Sequence, residues 1–304
     1  MSKGLDCLGL GIAPLDLLMQ IEKYPAPGTK IDAANMTIQG GGPIPTSMVA
    51  LARLGMKPGM IAPIGDDVFG RFVRDELRKE GVETSYLIEK KRPSAIAAGW
   101  IEKGNGRRTI VLELKIDLKP GDIVIDKLPR TKVVHLDGRY LPACLKLAKW
   151  ARKNNIPVIF DIGSMRNDVS ALIPLTDHLV VSEDFALPFT GAKKPRTAVE
   201  KLRKRCKGTI VVTSGIKGSI GYDEGSGYVI QKAYKVKTVD TTGAGDSFHG
   251  AYIFGLLKGW SLSERLRFAS AVAAIKCTKS GGRTGIPTYR QAVDFLKKKA
   301  VTYG

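Results

Sequence analysis

Apolar positions along the chain follow two periodicities in turn. Short runs rich in β-branched residues, at 5–12, 60–64, 132–136 and 209–213, read as strands. Between them, 43–54, 68–79, 142–154 and 195–206 carry apolar residues at helical spacing. Pro43 near the start of one helix and Gly55 just past its end fit helix-boundary chemistry, as does Gly81 after 68–79. The runs 157–161 and 178–181 read as short buried strands, and 219–222 with 228–231 as a hairpin across Gly225. Three helices close the chain, over 244–257, 262–279 and 289–299. This alternation predicts an α/β fold with a mostly parallel central sheet.

Two segments break the alternation. Residues 17–39 hold strand-like pieces around Pro25-Ala26-Pro27-Gly28, and 94–114 hold two strand-like runs around the hairpin-type turn Lys103-Gly104-Asn105-Gly106. Neither has a helical pattern. Together they read as a small β-sheet projecting from the main one, a candidate lid; the alternative is a pair of edge strands on the main sheet. With no repeat and no low-complexity linker, residues 1–304 read as a single domain.

Composition narrows the class. A chain of 304 residues, 43% hydrophobic, can bury one large core or a core with a small appendage. No run approaches the ~20 apolar residues of a membrane span. The N-terminus enters a strand without signal-peptide organisation, so a cytoplasmic location is expected. Cys7, Cys144, Cys206 and Cys277 are far apart, as are the three histidines, which argues for free thiols and against a local zinc site. The charge of +19 points to an anionic partner: nucleic acid, nucleotide or a phosphorylated product. The densest basic run, 193–207, has no aromatic residue for base stacking and suits a solvated helix face. A nucleic-acid partner is therefore not the expected one.

The strongest chemical motif is Asp240-Thr241-Thr242-Gly243-Ala244-Gly245-Asp246. Small residues at 243–245 let a ligand approach the backbone, and they open a helix whose free N–H groups and dipole favour an anion. Backbone donors there can hold the charge of a moving phosphoryl group, and a carboxylate in the first turn can accept the proton of an attacking hydroxyl. A Walker A sequence does not occur, which excludes the P-loop solution. A second Gly-rich turn, Gly40-Gly41-Gly42-Pro43, also feeds a helix start.

These runs, in this order over nearly the whole chain, resemble the ribokinase-like (PfkB) carbohydrate kinases, and most closely their ketohexokinase- and sulfofructose kinase-like branch. The resemblance implies a three-layer sandwich with a small β-sheet lid, and ATP and Mg²⁺ as cofactors. It makes Asp246 the base and the amides of Gly243, Ala244 and Gly245 the anion hole. Asp16, Gly41, Gly42, Thr46 and Arg139 would meet the sugar, Thr46 standing where many members carry Asn. Asp66 or Asp67, in the GxD element, would either join the site or cap a helix. Thr213, Gly215, Lys217 and Gly218 would hold ATP phosphates and ribose, and Cys277 and Gly281 would flank adenine. Glu183 is kept where the family orders Mg²⁺ and phosphate, but Ser182 and Phe185 replace its partners, so the metal is expected mainly through nucleotide phosphates. Asp240 and Thr242 match the surroundings of a monovalent cation, K⁺, in the family. Ketohexoses or acidic sugars are the favoured substrates, from Arg139, Lys30 and the Gly-Gly-Gly-Pro turn; a nucleoside is the alternative. From other classes, the charge leaves a nucleic-acid binder open, and Ser182, Phe185 and Thr46 leave a catalytically weak regulatory relative. A homodimer paired through the lid is also expected.

Overall fold

Strands that are apolar at every position must be covered on both faces. The computed structural model, which describes residues 4–104, 108–165 and 168–303, has this arrangement. In chain order the first half comprises β1 (Leu5–Leu10), β2 (Leu15–Ile21), β3 (Asn35–Gly40), α1 (Pro43–Arg53), β4 (Pro58–Ile61), β5 (Pro63–Gly65), α2 (Val68–Lys79), β6 (Ile88–Lys90), β7 (Ile96–Glu102), β8 (Arg108–Glu113) and β9 (Thr131–Leu136). The second half comprises α3 (Leu141–Lys153), β10 (Val158–Ile162), β11 (His178–Ser182), α4 (Glu183–Thr190), α5 (Pro195–Leu202), β12 (Thr209–Thr213), β13 (Ser219–Asp223), β14 (Gly227–Gln231), α6 (Ala244–Leu257), α7 (Leu262–Lys276) and α8 (Tyr289–Tyr303).

Eight strands form the main sheet in the order β14-β13-β12-β11-β10-β9-β1-β4. It is parallel from β12 to β4, and β13 and β14 join antiparallel at one edge. Successive residues serve opposite cores. Leu179 and Val181 pack with Leu147, Phe185 and Val199 of α3, α4 and α5. Val180 between them packs with Met48, Tyr252 and Leu266 of α1, α6 and α7. The helix layers follow from that period-2 split. α6 crosses α1 at Gly250, where a Cβ would lie 2.6 Å from Ser47 O and 2.7 Å from Ala50 Cβ. That close crossing ties the start of α6 to the Gly-rich turn that opens α1.

The irregular segments form their own sheet, in the order β3-β2-β7-β8. Its central pair, β2 and β7, is parallel, and its outer pairs are antiparallel. Asp16 lies inside β2, opposite Gln39 and Ala97, so it rides on the small sheet rather than on the loop after β1. Asn105 and Gly106 of the expected hairpin turn lie outside the described residues.

Other boundaries shift for local reasons. The expected strand at 60–64 is two, β4 and β5, which pair with different neighbours. The α5 helix ends at Leu202 and α7 at Lys276, short of the expected 206 and 279. Residues 183–190 form α4, capped by Ser182 and holding Pro188 within it. A short helix with an internal proline leaves little periodic signal. The basic run around α5 is a solvated face: Ala198, Val199 and Leu202 are buried, while Arg196 and Arg203 stack over Tyr228 and Tyr222 of the β13–β14 hairpin.

Candidate active site

The C-terminal ends of the parallel strands share one rim, and β1 lies between β4 and β9, so the order of connections reverses there. Such a switch point opens a crevice where ligands bind in α/β folds. The mouth of α6 faces it. Gly243 is the N-cap in a left-handed conformation, φ 74°. The Asp240 carboxylate braces the turn, accepting from the Thr242 amide at 2.8 Å and from the Gly281 amide at 2.8 Å. The Ala244 amide donates to Thr241 O at 3.2 Å, while Gly245 is exposed with open space where a Cβ would project. The Thr242 hydroxyl is buried with no hydrogen-bond partner.

Asp246 sits in the first turn of α6, half-buried at this mouth. Burial pushes its carboxyl above the usual range, against the pull of His249, Arg108, Arg283 and Lys276. His249, one turn on, lies 2.8 Å from Gly245 O through Nδ1, and 3.0 Å from Val180 O and 3.4 Å from Asp161 through Nε2. Arg108 of β8 donates to the Thr241 hydroxyl at 3.0 Å, so the small sheet touches the motif directly.

The opposite wall is built on the Gly-rich turn. Gly41 lies so close to Asp16 that a Cβ there would run into the carboxylate. Burial pushes Asp16 up to about 7; Arg283 pulls it down, and Asp246 across the crevice pushes it further up. Arg283 is the hub of this wall. It is buried and donates to Glu76 at 3.0 Å, to Gly41 O at 3.1 Å and to the Thr46 hydroxyl at 3.4 Å. The Gly40 amide donates to the same Glu76 carboxylate. Thr46 itself is buried, and its hydroxyl accepts from Arg283 rather than lining open space. At the β1–β9 switch, Asp137 accepts from the amides of Ile12 at 3.3 Å and Arg139 at 2.9 Å; burial pushes it up to about 7. Arg139 is near enough to lower it. Asp161, on β10, is pushed up to about 6 by burial; His249 lowers it and Asp246 raises it. Asp67 is the N-cap of α2 and accepts from Gly70 and Ser94, so the GxD element is structural here.

Along the rim from β11 and β12, Lys217 pairs with Glu183 at 3.3 Å, bringing two of the expected residues together. Thr213 ends β12 with its hydroxyl on Val181 O, and Gly215 and Gly218 shape the next turn at φ 52° and 99°. Cys277 caps α7, and its carbonyl accepts from the amides of Val239 and Asp240. Gly281, through Asp240, holds the 277–282 loop against the α6 mouth.

The model of the pfkB family of carbohydrate kinases matches residues 5–289. The chain belongs to the pfkB family. Among its relatives, a 5-dehydro-2-deoxygluconokinase of Clostridium botulinum is 27% identical, covering 87% of this chain and 86% of that one. A ribokinase of Haemophilus influenzae is also 27% identical, over 95% and 97%. The structure of the ribokinase of Thermotoga maritima superposes with a TM-score of 0.83 at 25% identity, covering 96% of this chain and 99% of that one. The fold is therefore ribokinase-like, and the enzyme is a phosphotransferase with an alcohol group as acceptor.

For a pfkB kinase, four charged side chains at this crevice escaped sequence reading: Arg108, Asp161, Lys276 and Arg283. Each is a single residue with no local pattern. Arg283 stands 237 positions from Thr46, and only the fold brings them together. The nearest signal is the loop 277–282, which ends one residue before Arg283 and whose resemblance points to the nucleotide rather than to the sugar wall.

Proposed function

We propose that this kinase transfers the γ-phosphoryl group of ATP to a hydroxyl of a small sugar, a ketohexose or an acidic sugar. The observation that carries the reading is the Asp246 carboxylate in the first turn of α6, beside exposed backbone at Gly245 and across the crevice from Asp16. The substrate hydroxyl gives its proton to Asp246 as its oxygen bonds to the γ-phosphorus; the bond to the β-phosphate bridging oxygen breaks and ADP leaves. Amides at 243–245 stabilise the charge that develops. Asp16 holds sugar hydroxyls as acceptor, and Arg139 supplies a planar donor for an anionic or keto group. The relative named 5-dehydro-2-deoxygluconokinase, an enzyme of an acidic sugar, supports that class.

Lys217 and the turn at 213–218 meet the nucleotide phosphates, and the 277–281 loop flanks the base. Among the described residues, no group of three or more His, Cys, Asp or Glu side chains is arranged to hold a metal ion. Mg²⁺ would come with the nucleotide phosphates, with Glu183 as a candidate protein carboxylate beside it, and would neutralise charge on the phosphoryl oxygens. The small sheet acts as a lid. Its inner face carries Asp16 and Gln39, and Arg108 latches to Thr241, so closure excludes water and completes the site.

A second copy of the chain covers the outer face of the lid. By register, Ile38, Leu17, Ala98 and Val111 form one row across all four strands, and Met36, Met19, Trp100 and Thr109 the next. Ile38 is 47% exposed, Met36 55% and Val111 58%, an apolar stripe that a partner would bury. No described helix is long and apolar enough to cross a membrane. An ATP-coupled screen across pentoses, ketoses, sugar acids and nucleosides tests the substrate class. Turnover confined to nucleosides would overturn it.

A further inference from the structure

Lys276 has no part in the chemistry above, yet it is completely buried. An ammonium is costly to remove from water unless something holds it. Here its Nζ donates to the main-chain carbonyl of Asp240 at 2.9 Å. Lys276 closes the last turn of α7, where the helix dipole is negative, and Gly285 packs directly on its carbonyl. The ammonium thus lies behind the Asp240–Gly245 turn, between the end of one helix and the mouth of the next. Burial lowers the Lys276 ammonium from the usual lysine range, Asp240 pushes it back toward its charged form, and it is close enough to pull Asp246 down.

The family resemblance placed a monovalent cation at Asp240 and Thr242. The Thr242 hydroxyl is unpartnered, but Asp240 does not fit that ion. Both carboxylate oxygens of Asp240 accept backbone amides, and the Asp240 carbonyl is taken by Lys276. We propose that the Lys276 ammonium is a built-in replacement for the dissolved cation. It holds the anion-hole turn in shape and adds fixed positive charge behind it, so the enzyme needs no K⁺. A tethered ammonium is present at full occupancy whatever the salt, whereas an ion must be bound from solution. The inference rests on the kinase reading for its catalytic half only, because cation binding is measurable without turnover.

The test compares wild type and Lys276→Met in KCl and in choline chloride at matched ionic strength, by turnover and by thermal midpoint. Wild type should show the same turnover and midpoint in both salts. Lys276→Met should lose on the order of tenfold or more in turnover in choline, the scale of one charge-assisted hydrogen bond. KCl should restore part of that loss and raise the variant's midpoint. Activation or selective stabilisation of wild type by K⁺ would overturn the proposal, as would a variant equal to wild type in choline. If the variant does not fold, the wild-type arm decides alone. A midpoint indifferent to K⁺ in a protein that phosphorylates no sugar would spare this inference and sink the kinase reading.

Discussion

Asp16 and Asp246 face one crevice and are both held above the ordinary carboxylate range by burial, but Asp16 sits on a wall and Asp246 at a helix mouth. For Asp16 the consequence is a stability effect. A carboxyl raised to about 7 binds its proton more tightly folded than unfolded, so its contribution is full below the ordinary Asp range and fades as pH rises toward 7. Asp16→Asn should therefore match wild type in thermal midpoint near the acid end and exceed it above neutrality, while losing sugar affinity. A variant less stable than wild type at alkaline pH would contradict this origin of the shift. Gly41 acts on the same carboxylate by leaving room for it. Gly41→Ala should raise the sugar KM by about tenfold or more and leave the KM for ATP nearly unchanged, because misplacing one positioning group acts on its own substrate. Steady-state kinetics with each substrate varied will show which KM moves.

At the scale of elements, the small sheet would link chemistry to the proposed assembly. Its inner face presents Asp16, its edge strand presents Arg108 to the Thr241 hydroxyl, and its outer face is apolar. Arg108→Gln should lower kcat/KM for ATP by about tenfold, the scale of one charge-assisted contact, and leave thermal stability close to wild type because the side chain is exposed. Val111→Lys with Ile38→Lys should convert the proposed dimer to a monomer in sedimentation, since like charges would meet where the apolar rows would pair. The strands of this sheet were legible from alternation and turn residues, and so was its separation from the parallel core. The position of Asp16 was not. One residue of register decides whether a side chain faces the crevice or the solvent, and a polar residue between Leu15 and Leu17 reads equally as a loop end. Arg283 was illegible for another reason: its partners Gly41, Thr46 and Glu76 come from the turn before α1, from α1 and from α2, and no spacing in sequence encodes them.

Across the whole molecule, one parallel sheet covered on both faces sets the α6 mouth and the Gly-rich turn of α1 side by side, and the crossing at Gly250 fixes their separation. That architecture was legible because continuous β-branched runs alternating with helical periods leave few other folds. Within the densest basic run, Arg196 and Arg203 stack on tyrosines of the edge hairpin beside the solvated face of α5. The central claim is that this scaffold exists to deliver one proton acceptor to a phosphoryl-transfer site. It is tested most directly by measuring ATP binding and sugar-dependent ADP release for Asp246→Asn beside wild type. The account predicts unchanged ATP affinity with turnover lower by about three decades or more; near-normal turnover in the variant would contradict it.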